Sequence, residues 1–146
     1  MRRPFTLALL AYLIPTFILG YVWHLQLFTN YYLALGIYRP DVIIPLGFLS
    51  MLVQGVIFAA AYPRLVDQPW HPASGMRFAG LAALLSWSFT TLAVAAKHPM
   101  TSVGGFVLIE TAFTAVQFAM VGPLLAWSAR VGSGAVINRE QRAASR

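Results

Sequence analysis

Apolar residues along this chain fall into four long runs, separated by short segments where prolines, glycines, charges and tyrosines collect. The runs cover about residues 5–28, 41–62, 77–96 and 103–129. A helix rises about 1.5 Å per residue, so some 20 apolar residues match the roughly 30 Å hydrocarbon thickness of a bilayer. The pattern predicts an all-α integral membrane protein, built as a four-transmembrane-helix bundle.

The punctuation refines this reading. Pro15 lies inside the first run and predicts a kink, and Gly122-Pro123 predicts an interruption near the end of the fourth. The basic start, Arg2-Arg3, resembles that of a signal peptide. The apolar run behind it exceeds a usual signal core and has no A-x-A site, which predicts a retained first helix. Residues 29–40 are tyrosine-rich and end in Arg39-Pro40, a composition suited to a short interfacial segment at headgroup level. Asp41 suits the positive end of the second helix. Residues 64–76 hold Pro69, Pro72 and Gly75 with mixed charge and read as a loop. Residues 130–146 are basic and poor in aromatics, as expected of a mobile cytoplasmic tail.

Composition narrows the class. With 59% hydrophobic and 10% charged residues and a mean hydropathy of +0.71, the chain is too apolar to keep its surface in water. Its 146 residues are filled by four spans and their connections, with no separate soluble domain expected. Cysteine is absent, which excludes thiol redox chemistry, thiolate metal sites and palmitoylation. The net charge of +6 comes from residues flanking the runs, which points to topology and not to nucleic acid. Arg2, Arg3, Arg64, Arg77, Arg130, Arg139, Arg142 and Arg146 fall on one side of the four runs, and only Arg39 and Lys97 on the other. The positive-inside rule therefore predicts an N-in/C-in arrangement. Together with the short loops, this suits a bacterial inner (cytoplasmic) membrane.

Candidate chemistry is sparse. Glu110 is the carboxylate set well inside an apolar run, about 6–10 Å below the outer boundary, where a carboxyl needs a partner or a polar cavity. His24 is expected at similar depth and is its natural partner. Each span also carries a small or polar stripe at helical spacing: Tyr12, Thr16, Gly20 and His24; Gly47, Ser50 and Gln54; Ser86 and Thr90; Glu110, Thr114 and Gln117. Such stripes serve close helix packing or line a polar crevice, and packing is the commoner use. Glu110, His24, Gln54, Gln117 and Thr114 are thus the candidate ligand-binding set. A second cluster, Tyr31, Tyr32, Arg39, Asp41, Lys97 and His98, is expected at the outer face. His24 and His98, near the outer ends of the first and third spans, are a remote option for b-type haem ligation, and no other cofactor or metal is predicted.

No nucleotide-binding, zinc-hydrolase or nucleophile-elbow motif occurs, so an enzyme is not favoured. The expected role is a small non-catalytic polytopic protein, an accessory or scaffolding subunit of a membrane complex or a homo-oligomer. Its partners would be membrane lipids and other membrane subunits or itself. Two alternatives stand beside it: a lipophilic-ligand or lipid-binding protein using a Glu110/His24 polar site, and a small proton-coupled transporter.

Overall fold

A computed structural model describes the backbone of residues 2–39 and 41–144 and the side chains of residues 3–39 and 41–132. It is helical throughout its ordered elements. The order is α1 (Arg2–Val22), a π-helical turn (Trp23–Leu27), α2 (Thr29–Leu35), α3 (Ile44–Leu65), α4 (Pro72–Trp87), a second π-helical turn (Ser88–Leu92), α5 (Ala93–Ala95) and α6 (Val103–Ala144). Four stretches are long and apolar enough to cross a membrane: Arg3–Leu27, Ile44–Leu65, Pro72–Ala95 and Val103–Gly132. The expected mobile tail falls mostly on side chains outside the described residues.

The helix ends differ from the sequence reading where proline is concerned. Residues 41–43 stay outside α3, which takes Pro45 into its first turn, and Asp41 pairs with Arg39 at 3.5 Å instead of opening the helix. Proline lacks an N–H, and the first turn is where none is needed. The same logic starts α4 at Pro72, inside the segment read as a loop. His71 caps this helix, its Nδ1 accepting from the Ala73 amide at 3.2 Å. Pro123 does not end α6, which runs through it. A helix surrounded by lipid and neighbouring helices tolerates one lost hydrogen bond. α2 ends on Gly36, whose φ of +75° is the left-handed conformation that terminates a helix at low cost for glycine.

Two contacts place the loops. The Thr101 hydroxyl donates to the Ala34 carbonyl at 2.9 Å and the Thr101 amide donates to Leu35 at 3.1 Å, so residues 29–39 and 97–102 share one end of the bundle. Gly132 lies against Pro4 at the opposite end, called here the termini end. Arg3, Arg64, Arg77 and Arg130 belong to the termini end, and Arg39 and Lys97 to the α2 end.

Side-by-side packing runs α3, α1, α6, α4, each neighbouring pair antiparallel. The tightest approach joins α4 to α6. A Cβ on Gly75 would strike the Gly122 carbonyl, and one on Gly122 would lie 3.1 Å from Ala79 Cβ and 2.9 Å from Met76 Sδ. Gly75 and Ala79 thus face Gly122 and Ala126, two small-xxx-small pairs that let backbones touch. Between α3 and α4 the backbones stand apart, and the ring of Phe78 spans the gap to Phe58 at 5.5 Å and Tyr62 at 5.2 Å. Tyr62 also donates to the Pro69 carbonyl at 2.5 Å, holding the connecting loop down on α3.

The α4/α6 contact yields a paired test. Gly75→Leu should lower stability in detergent by about 1–3 kcal/mol, the usual range for overpacking. Gly80→Leu, on the same helix with open space around its Cβ position, should leave it within about 0.5 kcal/mol. Thermal unfolding of the two variants beside the native chain measures the difference.

Candidate functional site

Polar residues inside the bundle form two separate groups. The first lies mid-span. The Tyr12 hydroxyl donates to Gln54 Oε1, Gln54 Nε2 donates to Ser86 Oγ at 3.0 Å, and Gln117 Nε2 donates to the Tyr12 hydroxyl at 3.5 Å. Every spanning helix contributes one member. Tyr12 is fully buried, and Gln117 and Thr114 nearly so. Gln54 and Gln117 are therefore engaged in joining helices. Two stripe residues point elsewhere: the Ser50 and Thr90 hydroxyls are exposed and bond back to carbonyls of their own helices, at 2.8 and 3.0 Å.

The second group lies at the α2 end, around Glu110. Its partner is Tyr32, whose hydroxyl donates to Glu110 Oε1 at 2.6 Å, and not His24. Tyr32 is completely buried although it belongs to the short helix between spans. Gly36 turns the chain after α2 and lays Tyr38 flat on Tyr32, with ring centroids 4.7 Å apart and planes within 7°. Burial raises both phenols well above the ordinary tyrosine range, and the Glu110 carboxylate raises them further.

His24 completes this group by packing rather than by hydrogen bonding. Its ring sits 4.5 Å from Phe113, 4.9 Å from Tyr32 and 6.2 Å from Tyr38, and its buried Nδ1 has no hydrogen-bond partner among the described residues. The π-helical turn Trp23–Leu27 inserts an extra residue per turn just where the Tyr12, Thr16, Gly20, His24 stripe reaches this cluster. Such turns recur at functional sites because they re-aim a side chain.

Beside the cluster a cavity of about 340 Å³ opens between α1 and α3. Phe17, Leu25, Ile43, Phe48 and Met51 supply apolar walls, while His24, Tyr38 and Arg39 supply polar groups at one end. The other outer-face candidates do not join it. Tyr31 leans toward Gly105, Asp41 pairs with Arg39 in solvent, and Lys97 and His98 are exposed in the turn before α6. His24 and His98 thus occupy unlike surroundings, one packed among rings and one open. Among the described residues no group of three or more His, Cys, Asp and Glu gathers as a metal cluster would.

Tyr38 was not singled out by the sequence reading, and Tyr32 stood with the surface group instead of with Glu110. Their six-residue separation around a glycine turn is a faint signal for stacking. It becomes legible only when α2 folds back against α6.

Tyr32→Phe leaves a half-buried carboxyl oxygen without its donor and should cost about 1–3 kcal/mol, read from thermal unfolding in detergent. The raised phenols also set an alkaline limit. A group whose pKa is higher folded than unfolded contributes fully below its unfolded value, near 10.0 for these tyrosines, and that contribution fades as pH climbs beyond it. Stability should hold up to about pH 10 and then decline, in step with tyrosinate absorbance and less steeply in Tyr32→Phe. No family model, curated protein or solved structure matches this chain, which leaves the geometry of its own residues to carry the functional reading.

Proposed function

We propose that this protein binds a lipophilic small molecule or lipid in the cavity between α1 and α3. The observation that carries this reading is the asymmetry of that cavity: apolar walls closed at one end by His24, Tyr38 and Arg39. Ligand sites of this size characteristically combine an apolar lining with a few convergent polar groups. His24 brings a buried, unpaired ring nitrogen. The bond from Tyr32 to Glu110 stands behind it and holds the Tyr38 ring in place. Glu110 acts in this reading as a support for the polar end, one step removed from the ligand. The termini end carries most of the described arginines, which supports an N-in/C-in orientation and an outward-facing cavity.

Gly47 allows a test that spares the fold. It lines the cavity, and a Cβ there would meet nothing within 4 Å. Gly47→Leu should reduce retention of the co-extracted small molecule at least about tenfold, as expected when an apolar body is displaced from its pocket, with the melting temperature unchanged. Native mass spectrometry from lipid nanodiscs reads both the retained mass and the protein stoichiometry. A defined protein multimer carrying no small mass would replace ligand binding with the scaffolding role. A reporter fused after Arg146 that proves active only outside the cytoplasm would reverse the orientation.

A further inference from the structure

We propose that the seam between α3 and α4 is a second site, which takes one phospholipid whose headgroup carries a primary amine, as phosphatidylethanolamine does. The seam encloses about 730 Å³ at the termini end. Its walls are Ile57, Ala61, Leu81 and Leu85, and Phe58 and Phe78 form part of its lining where the two backbones diverge. Ile57, Leu81 and Leu85 are 55%, 72% and 68% exposed, so the crevice opens sideways into the space occupied by acyl chains.

The mouth gives the headgroup its chemistry. Asp67 and Arg77 both line this crevice, yet the ion pair found among the described residues is Arg39–Asp41. An unpaired anion and an unpaired cation at one rim match a zwitterion better than a singly charged ligand. Their order along the bilayer normal also fits. Asp67 lies in the connecting loop beyond the end of α3, whereas Arg77 lies inside α4, about 7 Å along the helix from its first residue, Pro72. In a phospholipid the phosphate is likewise deeper than the amine. Arg77 presents a forked guanidinium suited to phosphate oxygens. The Asp67 carboxylate accepts hydrogen bonds from a primary ammonium, which a quaternary choline cannot donate. Gln68, His71 and Ser74 add neutral hydrogen-bonding groups around the same rim.

The full-length chain in nanodiscs of equal parts phosphatidylethanolamine, phosphatidylglycerol and phosphatidylcholine provides the test, with bound lipids counted by native mass spectrometry. Phosphatidylethanolamine should be retained about tenfold over either competitor, the worth of one charge-assisted hydrogen bond. Asp67→Asn should remove that preference while leaving residual phospholipid binding, and Arg77→Gln should lower retention of all three. Both residues are exposed, so unchanged melting is expected. Ala61→Phe, which fills the crevice without altering charge, should expel the lipid. Equal retention of the three lipids, a preference for phosphatidylglycerol, or a preference untouched by Asp67→Asn would overturn the proposal.

Discussion

A hydrogen-bonded thread from Ser86 through Gln54 and Tyr12 to Gln117 ties all four spanning helices together at mid-bundle. In hydrocarbon a side-chain amide has no water to fall back on, so each of these groups either finds a partner on another helix or carries a desolvation cost of several kcal/mol. Hydrogen bonds of this kind add only about 0.6 kcal/mol each on average in membrane helices. Their larger effect here is to fix rotation: Tyr12 meets Gln54 and Gln117 together only if α1 turns one particular face inward. That same face carries Thr16, Gly20 and, through the π-helical turn, His24. The position of the α2-end cluster therefore depends on a contact well away from it.

Packing and openness are divided between the helices. α4 and α6 touch backbone to backbone through Gly75 and Gly122 and leave no room for a ligand. α3 leans on α1 through Gly55, where a Cβ would lie 2.9 Å from Leu9 and Tyr12, and it remains apart from α4. Both cavities border α3: one at the α2 end against α1, the other at the termini end against α4. The helix held least by close backbone contact is thus the one that forms a wall of each site. Small residues close one seam and bulky aromatics prop the other open, which is how a bundle with no hydrophobic driving force between its helices sets their spacing.

The interhelical stripes show how much of the interior was readable in advance. Tyr12, Thr16, Thr114 and Gln117 recur at helical spacing and are all buried. Ser50 and Thr90 share the spacing but face outward, because a hydroxyl can satisfy itself on its own helix in the preceding turn and an amide side chain cannot. The α4/α6 glycine contact was harder to see. Gly75 stands among prolines and reads as a loop breaker, and Gly122 stands beside Pro123 and reads as an interruption. Each becomes a packing residue only once the other is opposite.

The sequence by itself determined that the chain makes four helices long and apolar enough for a membrane, because length and hydropathy are local properties set against a fixed bilayer thickness. It also marked Glu110 as a group in need of a partner, because burial of a carboxyl has a cost in any fold. Which group answers it was decided by tertiary structure alone. His24 and Tyr32 both lie toward the α2 end, where Glu110 sits, and the choice of Tyr32 depends on α2 folding back against α6 and docking through Thr101. That docking is a contact between segments more than sixty residues apart, and no periodicity along the chain records it.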